Sequence, residues 1–109
     1  MNESRKYDEM KPQLDLIPVE AIRALGDVLT YGARKYSARN WEAPGLRWGR
    51  VYAAALRHLL AWWSREDVDD ESGLPHLAHA LTNLAFLVTY TVRGRGEDDR
   101  PLTGKESDR

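Results

Sequence analysis

Residues 75–92, PHLAHALTNLAFLVTYTV, restrict what this chain can become more than any other segment. Wound as a helix, they place Leu77, Ala78, Ala80, Leu81, Leu84, Ala85, Phe86, Leu87 and Val88 around nearly the whole circumference. A surface helix keeps one polar side, so a helix that is apolar all round has to be enclosed. A chain of 109 residues offers few elements to enclose it. The pattern therefore predicts a homo-oligomer whose interface completes the core.

Two more helices are predicted upstream. Pro18 suits a first helical turn, and Ala21, Ile22, Leu25, Val28 and Leu29 follow at helical spacing, giving a helix over 18–36. SARNWEAPGLRWGR then reads as a loop. RVYAAALRHLLAWWSRED is rich in good helix formers and gives a helix over 49–65. The third helix runs over 75–92, with Pro75 at its start and Gly94 past its end. No stretch alternates strongly enough for a strand. The fold class is all-α, a small bundle of three main helices in a domain covering 1–93. Gly-rich and charged residues 94–109 read as a flexible tail.

The same third helix carries polar side chains where burial is expected. His76, His79 and Asn83 stand at i, i+3 and i+7, one stripe on a helix. Just before them, Glu66, Asp67, Asp69, Asp70 and Glu71 crowd into a loop. The plain alternatives are a satisfied core hydrogen-bond network and a solvated acidic loop near a helix start. Leaving buried polar groups unpaired costs roughly 1–3 kcal/mol each, which favours a stripe that faces something polar. His58 lies two turns before Glu66, on the preceding helix. Carboxylates in this arrangement suit Mg2+ or Mn2+, and neighbouring imidazoles extend the choice to other transition metals. The candidate metal ligands are His58, Glu66, Asp67, Asp69, Glu71, His76, His79 and Asn83.

A second group follows the first helix. Lys35, Tyr36, Asn40 and Trp41, with Arg34 and Arg39 among them, could clamp phosphate and base, or the cations could merely complement a helix end. Lys11 is a further candidate phosphate contact. This group is expected to line the same cavity as the acidic loop. A Walker-type glycine loop is absent. The formal net charge of −1 gives no electrostatic case for nucleic acid or a membrane surface. The polar start of the chain lacks a signal-peptide core, and no apolar run is long enough to span a bilayer, so a cytoplasmic location is expected. With no cysteine, thiolate metal sites and disulfides are excluded.

KYDEMKPQLDLIP, LTYGARKYSARNW, LRHLLAWW and EDVDDESGLPHLAHALTN together resemble the N-terminal domain family of phage dATP/dGTP diphosphohydrolases. The similarity runs from about Lys6 to Leu87, with the motifs in the family's order. The family is akin to MazG-like all-α nucleoside triphosphate pyrophosphatases, which are metal-dependent helical oligomers. The resemblance implies a divalent-metal pyrophosphohydrolase of purine deoxynucleoside triphosphates, acting in the host cytoplasm if phage-encoded. It also implies a departure from the usual pair of carboxylate motifs, ExxE and ExxD. Glu66 and Asp69 keep ExxD spacing, while His76 and His79 take the i, i+3 positions of the partner helix. Within that picture Glu66, Glu71 and His79 are the catalytic candidates, Glu66 or Glu71 as base. Lys35 and Arg57 offset charge on the departing pyrophosphate. A non-catalytic nucleotide- or metal-binding accessory protein and a purely structural oligomer are the competing readings.

Overall fold

Prolines set where two of the three helices begin. In a computed structural model that describes residues 9–102, helix α1 spans Val19–Lys35, α2 spans Trp48–Trp63 and α3 spans His76–Arg93. Pro18 and Pro75 hold the position before α1 and α3, with extended backbone (ψ 134° and 140°). The carbonyl of Pro18 accepts from the N–H groups of Ala21 and Ile22, and that of Pro75 from Ala78 and His79. Single 3₁₀ turns at Leu14–Leu16 and Asn40–Glu42 complete the described helical structure. Gly94 ends α3 in the left-handed conformation (φ 64°), where glycine pays no Cβ penalty. The architecture is all-α, and the observed bounds lie within two residues of those expected.

Helix α2 packs mainly against α3, and α1 leans more lightly on α3. Most of the buried side chains on α2 and α3 are small. Ala55 is buried on α2; Ala78, Ala80 and Thr82 are buried on α3, together with His76 and Tyr90. Thr82 Oγ1 donates to the carbonyl of Ala78 at 2.8 Å, which removes the cost of enclosing its hydroxyl. Tyr90 donates to the carbonyl of Trp41 at 2.6 Å and so pins the α1–α2 connection onto α3. No residue of α1 is buried. In a single chain Trp63 on α2 is 77% exposed and Val88 on α3 is 63% exposed, so the apolar surface of both helices is only partly covered.

Residues 95–100, within the expected flexible tail, make contacts with the start of α2. Trp48 N–H donates to the carbonyl of Glu97 at 2.9 Å, and Glu97 N–H returns a bond to Leu46 at 2.8 Å. Trp48 Nε1 donates to the carbonyl of Arg95 at 2.8 Å, and the Arg100 guanidinium lies 5.0 Å from the Trp48 ring. Asp99 Oδ1 accepts from the backbone N–H of Gly49 at 2.7 Å. The first turn of α2 has no acidic residue and no side-chain cap of its own. Asp99 therefore satisfies an otherwise orphaned donor and places negative charge at the positive end of the helix. Gly96 makes the close approach possible, because at φ 80° an added Cβ would meet the Leu46 carbonyl oxygen at 2.8 Å. The remainder of the expected tail, 103–109, lies outside the described residues.

Candidate functional site

The chain contains three histidines, and all three meet. His58 projects from α2; His76 and His79 occupy the first turn of α3. The His58 and His79 rings stack with centroids 4.5 Å apart and an 11° interplanar angle. The Nδ1 atoms of His58 and His76 are 2.8 Å apart. Rings on α2 and α3 thus touch, between two helices whose buried side chains are mostly small.

The acidic loop folds back toward this group through Asp69, while Glu66, Asp67, Asp70 and Glu71 stay exposed. Asp69 N–H donates to Leu74, Gly73 N–H donates to Asp69, and His76 N–H donates to the Asp67 carbonyl. Asp69 Oδ2 accepts from the Ser72 backbone N–H at 2.9 Å and from the Ser72 hydroxyl at 2.8 Å. Ser72 Oγ also lies 2.7 Å from His79 Nε2, so Asp69, Ser72 and His79 form a chain of polar contacts. With its proton committed to Asp69, the hydroxyl accepts from Nε2–H, which fixes the tautomer of neutral His79. At the end of α2, Arg65 takes the left-handed conformation (φ 69°), and Glu66 N–H closes back on the Ala61 carbonyl. A non-glycine residue there costs roughly 1–2 kcal/mol. The bend brings Glu66 Oε2 to 3.3 Å from His76 Nε2, although the alignment is not that of a hydrogen bond.

One ligand atom from each of His58, Asp69 and His76 lies within 4.8 Å of the others. Two imidazole nitrogens and a carboxylate oxygen are a donor set that fits a divalent transition ion better than Mg2+, which prefers oxygen donors alone. Glu66, Asp67, Glu71, His79 and Asn83 are not in that compact set. The side chains of Glu66, Asp67 and Glu71 are exposed. Glu71 instead faces α1, accepting from Lys35 Nζ at 2.7 Å and from the Tyr31 hydroxyl at 2.8 Å. Lys35 and Tyr31 hold the Glu71 carboxyl below its ordinary range, and Glu71 in turn raises the Lys35 ammonium. A carboxylate stabilised in this way is a weak base.

These groups stand along one open cavity of about 1010 Å³. Lys35, Tyr36, Asn40, Trp41 and Arg57 line it, as do His58, Asp69, Glu71, His79 and Asn83. Glu66, Asp67, His76 and Lys11 are not on its wall, and Lys11 is exposed. Trp41 is already engaged, stacked on Phe86 at 5.1 Å, with the Arg93 guanidinium 5.5 Å from its ring. Tyr36 is the more open aromatic, with Lys35 Nζ 5.2 Å from its ring centre. Sequence reasoning passed over Ser72 and Tyr31. Asp and Ser three apart in a loop can bond locally through side chain and backbone, and Tyr31 stands four residues before Lys35 on the same side of α1.

Burial depresses the pKa of His58, with the neighbouring imidazoles adding to the effect. Burial also depresses that of His79, against the opposing pull of Asp69. For Asp69, burial acts upward, but the two Ser72 hydrogen bonds prevail and lower its pKa. The unfolded chain protonates its histidines near pH 6.5. Below that pH and above the folded values, the unfolded state binds more protons, so stability rises with pH. Chelator-treated protein should therefore hold a constant melting temperature above about pH 7.5 and lose it on acidification through ~6.5, before its carboxylates titrate. His58→Gln should flatten that acid limb in thermal melts. An unchanged limb would mean that His58 is equally accessible to protons in both states.

The sequence matches, over residues 1–100, the family described as dATP/dGTP diphosphohydrolase, N-terminal. It is similar to a dATP/dGTP diphosphohydrolase of Salmonella phage PMBT28, with 37% identity over 95 residues. That stretch is 87% of this chain and 32% of the phage protein, so the chain spans about a third of the length of the curated relative it matches. No solved structure matches the chain. No described helix is long and apolar enough to cross a membrane.

Proposed function

The chain belongs to the dATP/dGTP diphosphohydrolase N-terminal family, and we propose that it hydrolyses purine deoxynucleoside triphosphates to monophosphate and pyrophosphate. One observation carries the reading. A single cavity has His58, His79 and Asp69 on its wall, and on the same wall Lys35, Arg57 and Asn40, donors suited to a triphosphate. Held by His58, His76 and Asp69, a divalent ion (Mn2+, or Mg2+ with weaker fit) would supply Lewis-acid neutralisation of phosphate charge. His79, kept neutral by burial, takes a proton as water attacks the α-phosphorus and the bond to the bridging oxygen breaks. Arg57 and Lys35 meet the charge that develops on pyrophosphate, and Lys35 does so by exchanging Glu71 for phosphate. Tyr36 offers a face to the base. The exposed apolar surface of α2 and α3 supports a homo-oligomer as the working form.

A second reading, a module that holds nucleotide without turning it over, is favoured by one fact: Glu71 on the cavity wall is tied to Lys35 and Tyr31. One experiment separates the two. The purified chain is incubated with each deoxynucleoside triphosphate in Mn2+ or Mg2+, and pyrophosphate and monophosphate are measured. The expected result is release of both from dATP and dGTP, faster in Mn2+. Thermal stabilisation by nucleotide without product would establish the binding module instead.

A further inference from the structure

We propose that His58, His76 and Asp69 form a transition-metal site, and that Glu66 serves it from outside the coordination sphere by fixing the tautomer of His76. The inference deepens the reading above and rests on it only for the consequence in turnover.

Proton placement carries the argument. A neutral imidazole has one N–H and one lone pair. The His76 side chain is 9% exposed, and its Nε2 is enclosed without a hydrogen-bond partner, 3.3 Å from Glu66 Oε2. Were His76 protonated at Nδ1, the bare lone pair of Nε2 would face the Glu66 carboxylate, and the two would repel. With the proton on Nε2 they attract, and a small shift of the exposed Glu66 side chain completes the bond. That choice leaves the Nδ1 lone pair of His76 pointing at Nδ1 of His58, 2.8 Å away.

Two partners can satisfy this pair of nitrogens: a proton on His58, or a cation shared with Asp69. Two nitrogens this close, with an Asp69 oxygen nearby, would suit donors to one small cation. A ligand histidine that donates its other N–H to a carboxylate is a recurring feature of metal sites, and it orients the ring. Glu66 fills that role, while Asp69 is steadied by its two bonds from Ser72. Two nitrogens and one oxygen select Mn2+, Co2+ or Zn2+ over Mg2+.

The test uses the whole chain, stripped with chelator, without nucleotide. Titration with Co2+ is followed by visible absorption, and Zn2+, Mn2+ and Mg2+ compete. The expected result is one saturable Co2+ site displaced by Zn2+ and untouched by a hundredfold excess of Mg2+. Glu66→Ala, at an exposed side chain, should weaken Co2+ binding about 10–100-fold without abolishing it. His58→Gln and His76→Gln should abolish it; His58 is half-buried, so that variant keeps the test valid if His76→Gln fails to fold. Absence of a Co2+ site, or equal competition by Mg2+, overturns the metal assignment. Abolition by Glu66→Ala overturns its outer role and makes Glu66 a ligand, and unchanged affinity removes it from the site. Co2+ binding without turnover leaves this inference standing and sinks the hydrolase reading. Turnover in Mg2+ without Co2+ binding does the reverse.

Discussion

Asp69→Asn should cut pyrophosphate release by about a thousandfold or more while leaving the three helices formed. The size follows from what the carboxylate does. Charge stabilisation by a held ion is worth several kcal/mol, and each ~1.4 kcal/mol is a factor of ten in rate. Asparagine keeps the size of aspartate, and its carbonyl oxygen can still accept from the Ser72 N–H and hydroxyl. The loop fold should persist, with a loss of ~1 kcal/mol for weakening charge-assisted bonds. What asparagine lacks is the negative charge beside His58, His76 and His79. Asp70→Asn, at the exposed neighbouring position, should behave as wild type. Pyrophosphate assays at saturating substrate, with helical content checked by circular dichroism, decide it. Near-normal turnover in Asp69→Asn would remove the carboxylate from the reaction and leave it a loop-folding residue.

Asp69 also marks where sequence reading reached its limit. Periodicity gave the helices, because every turn repeats the same local geometry and Pro18, Pro75 and Gly94 punctuate it. The stripe of His76 and His79 and the acidic loop were legible for the same reason, being close in the chain. What the sequence did not separate was the work of individual carboxylates. Glu71 reads like Asp69, yet a contact with Lys35 across thirty-six positions turns it toward α1. The Asp99 cap on α2 spans fifty positions, and nothing local to Gly49 announces it. Trp41 reads as a base-stacking candidate and lines the cavity, and Phe86 and Arg93, both on α3, also engage its ring. Each of these outcomes depends on helix–helix placement, which no window of residues contains.

That placement rests on small side chains, and Ala55→Leu should therefore damage stability and site together. Ala55 is 1% exposed and is the one buried residue among those described on α2; the buried residues of α3 include the small Ala78, Ala80 and Thr82. Helix axes approach as closely as the side chains between them allow. Leucine adds three carbons where no space is open, and overpacking of this kind costs about 1–3 kcal/mol, or more if the helices cannot slide. For a domain of this size that is a fall in melting temperature of roughly 10 °C. His58 stands one turn beyond Ala55 on the same helix. Pushing α2 from α3 should open the 2.8 Å His58–His76 contact, so Co2+ affinity should fall along with stability. Ala55→Gly supplies the contrast, losing about 1 kcal/mol through helix propensity with the helices still close. Its Co2+ affinity should stay near wild type. Thermal melts and Co2+ titrations on the two variants make the comparison. If Ala55→Leu melts with wild type, the alanine contact is not what sets the helix spacing, and the meeting of the imidazoles needs another cause.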